Sequence, residues 1–215
     1  MVTLLQKASI MKISIAKALF NSHSYLEYRK IVSDLLSDKK STGAVQSEEL
    51  THYSSLNDTR MKRLDKTIAV PEEITTRLKA LKGDYIWLVI SEGWCGDAAQ
   101  LLPVFNKMVL ASGDKIEMRV VLRDENDELM NLFLTNKSKS IPKLIVIHKE
   151  TSGALAHWGP RPKGASDLII DYKKQHGVVD EEAKTALQLW YLHDKGMTTQ
   201  LELIDMMIDI DKDID

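Results

Sequence analysis

The sequence has very little of several features that would assign it to a common functional class. Cys95 is its one cysteine in 215 residues, so the chain can form no internal disulfide. Basic and acidic residues nearly balance, 29 against 31, which argues against a nucleic-acid or anionic-lipid surface. The longest apolar run, residues 85–90, is far too short to span a membrane. We therefore expect neither a nucleic-acid nor a membrane partner, and a cytoplasmic location.

The first 20 residues are mildly amphipathic, and lysines at positions 7, 12 and 17 break their apolar runs. No small-residue cleavage site follows a continuous apolar stretch, so the segment is unlike a secretory signal. Met11 is a second candidate for the natural start, beside Met1. With 44% hydrophobic and 28% charged residues, the composition is typical of a globular protein with a real core.

The N-terminal part of the chain has helical periodicity. Apolar residues recur at helical spacing over 24–36, Ser47 is placed to cap a second helix, and residues 71–82 form a third segment that ends at Gly83. These helices are too few and too short for a core of their own. We therefore predict that residues 1–82 are a helical N-terminal extension packed on the core.

The pattern changes to alternating strands and helices over residues 83–178. The predicted strands cover residues 85–90, 116–122, 144–148 and 155–158, and the predicted helices cover 97–110, 126–134 and 165–175. This order predicts an α/β fold with a central mixed sheet flanked by helices, containing two right-handed crossovers and a hairpin. The predicted hairpin turn is Ser152-Gly153, so His148 and His157 should face each other across it. Residues 179–215 predict a helical C-terminal extension.

Cys95 lies in the segment SEGWCGDAAQ, residues 91–100, between the first predicted strand and the helix that follows. Chemistry in α/β sheets collects at the carboxyl ends of the strands. The free N–H groups and the dipole of a helix N-terminus stabilise a thiolate. The sequence thus predicts that Cys95 is partly exposed, with a pKa below the value of about 8.5 for a free cysteine. An inert buried cysteine is the alternative interpretation.

Three segments together resemble the thioredoxin family. EGWCGDA at 92–98 is similar to the thioredoxin active-site turn, in which Trp precedes Cys at a helix start. SIPKLIV at 140–146 is similar to the segment where thioredoxins have a cis-proline before a core strand. The helical N-terminus and WGPRP at 158–162 resemble a bacterial group called thioredoxin family proteins, here with a single-cysteine WCGDA site.

The resemblance implies a thioredoxin-like fold and a set of supporting residues around a catalytic Cys95. It implies a cis Ile141-Pro142 bond, with Pro142 beside Cys95 and shaping a groove, while Trp94 and Gly96 flank the thiol. It also implies that Gly159 lies against the active-site turn.

The departures from the thioredoxin pattern are as informative as the match. Ala98 occupies the position of the resolving cysteine, and Val89 that of the buried acid which serves it. Asp97 replaces the usual proline, either as a capping acid, the interpretation that we favour, or as a charge that opposes thiolate formation. Arg161 is either an anion partner for the thiolate or a substrate carboxylate, or a surface residue held between two prolines. The charged residues 123–125 either rim the groove or form a solvated loop.

A single thiol without a resolving partner limits the chemistry. Cys95 can form a mixed disulfide that nothing else in the chain can reduce, which excludes an autonomous disulfide reductase. We predict monothiol thiol-disulfide exchange with protein or peptide partners, resolved by glutathione or another small thiol as co-substrate. A thiol sensor and a non-catalytic module that binds an extended peptide are the alternatives. The sequence predicts no metal site and no other cofactor.

Overall fold

The computed structural model describes residues 4–214, apart from the side chains of residues 4, 5, 7 and 8. Residues 1–3 and 215 of the two predicted extensions lie outside this description. Helices and strands alternate with short loops in the following order: α1 (Leu4–Phe20), α2 (Tyr25–Ser37), α3 (Glu48–Thr67), α4 (Glu72–Lys79), β1 (Tyr85–Ser91), α5 (Gly96–Ala111), β2 (Ile116–Leu122), α6 (Asp127–Leu132), β3 (Lys143–His148), β4 (Ala154–Trp158), α7 (Lys163–His176), α8 (Glu181–Asp194) and α9 (Met197–Asp211). A 3₁₀ turn, Arg123–Glu125, precedes α6.

Local capping explains where the N-terminal helices begin. Ser24 and Glu27 form a reciprocal capping box at α2, in which each side chain accepts the backbone N–H of the other residue. The Ser47 hydroxyl accepts the N–H of Leu50 at 3.1 Å and starts α3. Both predicted helix starts are confirmed.

The third predicted helix is shorter than expected, because α4 ends at Lys79 and not at residue 82. The carboxylate of Asp211 in α9 accepts the N–H groups of Lys82 and Gly83 at 2.8 to 3.0 Å. These two N–H groups bond to a distant side chain, so they do not continue the helical hydrogen bonding. Asp211 also accepts the hydroxyl of Tyr85, which fixes the entry into β1.

The four strands form one mixed sheet in the order β2-β1-β3-β4. Strand β1 runs parallel to β2 and antiparallel to β3, and β4 is antiparallel to β3. The α/β class with a mixed sheet and flanking helices is confirmed. The prediction of two crossovers between parallel strands is wrong, since only the β1–α5–β2 connection joins parallel strands among the described residues. After α6 the chain forms β3, which pairs with the edge of β1 opposite β2 and runs antiparallel to β1.

The β3–β4 hairpin differs from its prediction. The connection covers residues 149–153, because Ser152 N bonds to His148 O and His148 N bonds to Gly153 O. A bulge between Val146 and Ile147 further shifts the register. The expected two-residue turn is therefore wrong. The two histidines do not face each other, since Ile145 is the residue that pairs with His157.

The helices before the sheet share its core. Tyr28 of α2 is fully buried, and its hydroxyl lies 3.2 Å from the hydroxyl of Ser91 at the end of β1. Asn57 of α3 donates to the carbonyl of Gly93 at 3.0 Å. His23 forms an isolated bridge with Val120 of β2. These contacts join the N-terminal helices to β2 and to the segment between β1 and α5, which contains Cys95.

The C-terminal helix α9 also packs on β1. The indole N–H of Trp87 in β1 donates to the sulfur of Met207 in α9 at 3.3 Å, and both side chains are fully buried. No helix between residues 4 and 214 is long and apolar enough to cross a membrane.

We expect a fragment of residues 83–215 to unfold at a clearly lower temperature than the full chain, or not to fold. The fragment lacks α1–α4, which contain the buried side chains of Tyr28, Met61 and Leu78. The apolar surfaces that these side chains cover therefore become exposed to water. Thermal unfolding followed by circular dichroism compares the two proteins. Equal melting temperatures would show that the N-terminal extension contributes no stability to the core.

Candidate functional site

Cys95 is the N-cap residue of α5. Its backbone is extended, with φ −78° and ψ 114°, and its sulfur accepts the N–H of Ala98 at 3.4 Å. The Cys95 N–H bonds to the carbonyl of Glu92 at 3.1 Å, which forms the tight turn out of β1. The thiol donates to the carbonyl of Ile141 at 3.4 Å. The sulfur is thus held between a helix N-terminus and the segment before β3.

The expected partial exposure and lowered pKa of Cys95 are both wrong. Only 8% of the residue is exposed. Burial, and after it the negative charge of Asp97, raise the pKa of the Cys95 thiol to about 12. The N–H groups of Ala98 and Asp97 and the charge of Arg161 act in the opposite direction, but they do not offset the loss of water. The resting site therefore holds a neutral thiol.

Asp97 is held by two side chains from distant parts of the sequence. Its carboxylate lies 2.7 Å from the guanidinium of Arg161, and it accepts the hydroxyl of Tyr191 in α8 at 2.9 Å. Asp97 is only 9% exposed, so these partners replace the water that its charge needs. The capping interpretation of Asp97 is wrong, because the sulfur of Cys95 provides the cap. Arg161 pairs with Asp97 and not with the sulfur.

Trp94 and Gly96 flank the thiol on either side. The guanidinium of Arg123 lies 4.8 Å from the centre of the Trp94 ring, a cation–π contact that fixes the indole. Arg123 pairs in turn with Asp124 at 2.8 Å. Residues 123 and 124 therefore lie at the rim of the turn. Gly96 faces the side chain of Gln188, whose nitrogen lies 4.0 Å from the position of an added Cβ.

The segment opposite Cys95 combines two proline-containing bonds with a glycine. The Ile141-Pro142 and Gly159-Pro160 peptide bonds are both cis. Gly159 has φ +110°, and a Cβ there would lie 2.4 Å from the carbonyl oxygen of Pro142. Only glycine permits this close approach of the two backbones. Gly159 thus lies against the Ile141-Pro142 segment that the sulfur contacts.

Sequence reasoning missed a buried acid beside the turn, Glu92. Its Oε1 accepts the N–H of Asp124 at 3.0 Å, whereas Oε2 has no partner among the described residues. Burial raises the pKa of Glu92, and the Thr42 hydroxyl and the Asp124 N–H oppose this shift. Thr42 also accepts the Gly93 N–H at 2.7 Å. The position of Glu92 directly before Gly-Trp-Cys could have indicated its place at the site. Thr42 lies far from this turn in the sequence, so no local pattern indicates its contact.

The arrangement offers a protected thiol with a backbone segment beside it, and the hydrogen bonds of the sulfur within residues 4–214 are to backbone groups. Among residues 4–214, no group of three or more histidine, cysteine or acidic side chains could hold a metal ion. In the described part of the site, the Cys95 sulfur can form a disulfide bond with another sulfur. Alternatively, the backbone beside it can bind a partner.

Comparisons with known proteins give the chain a family context. A sequence model of the thioredoxin family matches residues 43–174. No curated protein matches the chain.

Two solved structures have a similar fold. A protein of unknown function from Pseudomonas aeruginosa has a TM-score of 0.53 and 18% identity, covering 87% of this chain and 98% of its own. An HIV epitope scaffold has a TM-score of 0.52, with 18% identity and the same coverage of 87% and 98%. At this level of identity the likeness concerns the fold alone.

We expect the alkylation rate of Cys95 by iodoacetamide to rise with pH past the range of a free cysteine. The reacting species is the thiolate, and the raised pKa keeps its fraction small up to about pH 12. A pH series followed by intact mass measures the midpoint. A plateau at or below about pH 8.5 would contradict the protonated resting thiol.

Replacing Asp97 by Asn should make the thiol more acidic. The substitution removes a negative charge that raises the Cys95 pKa, and it keeps an oxygen for the Tyr191 hydroxyl. We expect alkylation at pH 8 to become roughly three- to tenfold faster, as one pKa unit changes the thiolate fraction tenfold and a more acidic thiolate is less nucleophilic.

The matched control for this variant is Asp171→Asn, which removes a carboxylate from an exposed position of α7. It should leave the alkylation rate unchanged. Circular dichroism must show that Asp97→Asn remains folded, because Arg161 loses its carboxylate partner. A folded Asp97→Asn protein with the wild-type rate would show that this carboxylate does not govern the thiol.

Proposed function

Because the chain belongs to the thioredoxin family, whose model matches residues 43–174, we propose that it performs monothiol thiol-disulfide exchange through Cys95. One observation carries the proposal. The sulfur of Cys95 accepts an N–H at the first turn of α5 and lies 3.4 Å from the carbonyl of Ile141. An incoming sulfur would meet it at this junction.

The proposed reaction has two exchanges. The Cys95 thiol first loses its proton to solvent, and the thiolate attacks one sulfur of a partner's disulfide. A new S–S bond joins Cys95 to that sulfur, while the other sulfur leaves as a thiolate and takes up a proton. The thiolate of a small external thiol of the glutathione class then attacks the partner's sulfur in the mixed disulfide. The new S–S bond joins the partner to the small thiol, and Cys95 leaves as a thiolate and takes up a proton from solvent.

The neighbouring residues have distinct proposed roles. Ala98 N–H stabilises the departing or attacking thiolate, and Trp94 with Gly96 bounds the space around the sulfur. Ile141 and Pro142 supply the backbone edge for an extended partner segment. Arg161 pairs with Asp97 and holds the start of α5 in place, and the Asp97 carboxylate together with burial keeps the resting thiol protonated.

Protein or peptide disulfides are the proposed partners, and no further cofactor is needed. The chemistry depends on an external thiol pool, so we propose a cytoplasmic location. The high pKa of Cys95 predicts that the reaction is slow near neutral pH and becomes faster as the pH rises.

A non-catalytic module that binds an extended peptide is the second candidate function. The burial of Cys95 and its raised pKa favour it, because a binding groove needs no reactive thiolate. In this case the Ile141-Pro142 edge acts alone and Cys95 serves only to cap α5.

Intact mass after incubation with oxidised glutathione separates the two functions. We expect the wild-type protein to gain one glutathionyl group, increasingly with pH, and to lose it when reduced glutathione is added. Cys95→Ser is the matched control and should gain no mass. If the wild type remains unmodified even at pH 10, thiol exchange is excluded and the binding module stands.

A further inference from the structure

A groove between α3 and α8 lies outside the thiol site described above. It has a volume of about 400 Å³ and is open to solvent. Helix α3 contributes Leu56, Arg60 and Arg63, which follow one helical face because their spacing is four and three residues. These residues define one wall of what we call the α3–α8 groove.

Helix α8 forms the other wall with Gln188, Leu189 and Leu192. The floor contains Gln100 of α5, whose side chain donates to the oxygen of Gln188 at 2.7 Å. The α3 wall covers residues 56–63 and the α8 wall, which begins at Thr185, covers residues 185–192. Each wall is therefore about two turns of helix or 10 Å long.

The groove exposes an unusual amount of leucine. Leu56 is 47% exposed, and Leu189 and Leu192 are each 49% exposed. Single exposed leucines are ordinary, but three that line the same groove form an apolar strip. Such a strip favours apolar side chains presented along one face of a partner.

The two arginines give the groove its charge. No carboxylate lies within ion-pair distance of Arg60 or Arg63 among the described residues, and no acidic residue lines the groove. Burial and the nearby charge of Arg63 lower the pKa of Arg60, whereas the Asp97 carboxylate acts in the opposite direction. Asp97 itself is paired with Arg161, so it does not neutralise the groove.

We propose that the α3–α8 groove docks a helical segment of a partner protein that carries leucine-like side chains on one face and acidic side chains beside them. The apolar strip contacts the partner's apolar face. The guanidinium groups of Arg60 and Arg63 pair with its carboxylates, for which their planar donors are well matched. The arrangement corresponds to helix-in-groove recognition with arginine anchors.

The groove is also connected to the turn before Cys95. Arg60 donates to Asn57 at 2.6 Å, and Asn57 donates to the carbonyl of Gly93 at 3.0 Å. A segment bound at Arg60 would therefore hold its protein beside the thiol. The docking proposal goes beyond the thiol chemistry and does not require that Cys95 reacts.

Fluorescence anisotropy with a labelled synthetic peptide tests the proposal on the full-length protein. The probe is an amphipathic helix of about three turns with leucines on one face and glutamates beside them. We expect it to bind, and we expect matched peptides with lysine for glutamate or serine for leucine to bind about tenfold more weakly or worse.

Two double variants and one single variant examine the groove itself. Arg60→Gln combined with Arg63→Gln should weaken probe binding about tenfold, as should Leu189→Ser combined with Leu192→Ser.

Lys173→Gln with Lys174→Gln removes two positive charges outside the groove and should bind normally. Leu201→Ser, an exposed position of α9, is the matched apolar control. Arg63→Gln alone preserves the Arg60–Asn57 bond, so it tests charge even if the double variant misfolds.

Several outcomes would overturn the proposal. The probe could fail to bind up to about 1 mM, or it could bind the arginine variants as tightly as the wild type. Sedimentation could instead show that the wild type self-associates and that the arginine variants are monomeric, which would make a second copy of this chain the occupant. Cys95→Ser should bind the probe like the wild type, so loss of thiol exchange and loss of docking are separable.

Discussion

The buried carboxylate of Asp97 at the start of α5 is the constraint around which the site is built. A charge that is 9% exposed must be paired, and the required donors come from the segment after β4 and from α8. Arg161 and Tyr191 can reach Asp97 only if these two segments converge on the N-terminus of α5. The C-terminal extension is therefore part of the site and not an appendage beside it.

This convergence determines the state of the thiol. The same packing that desolvates Asp97 also covers Cys95, and the carboxylate adds its own field. At an exposed helix N-terminus the N–H groups would favour the thiolate. Here the N–H of Ala98 still points at the sulfur, but loss of water outweighs it. A helix N-terminus is thus insufficient to activate a cysteine when a protein also buries it behind a paired acid.

Local signals predicted the parts of the structure that depend on neighbouring residues. The apolar run of β1, the Ser24 and Ser47 caps and the turn before α5 are all properties of a few adjacent side chains. The pairing of β3 with the free edge of β1 and its reversed direction depend on the path of the whole chain, and no local pattern specifies them. The resemblance to thioredoxins pointed to Cys95 and to the Ile141-Pro142 segment. It gave no indication of Tyr191, because that residue belongs to a helix outside the family match.

Protonation of the Cys95 thiol is linked to the free energy of unfolding. The folded chain binds the Cys95 proton more tightly than a free cysteine does, because burial raises the pKa of the thiol to about 12. A raised pKa contributes stability that is fully present below the unfolded value and is lost as pH rises through the folded value. Forming the thiolate near neutral pH therefore opposes the packing that covers the sulfur. A partner that docks beside the turn and displaces part of the packing over the sulfur would lower the free energy needed to form the thiolate. Binding of a partner would then increase the reactivity of Cys95, although the chain has no resolving cysteine.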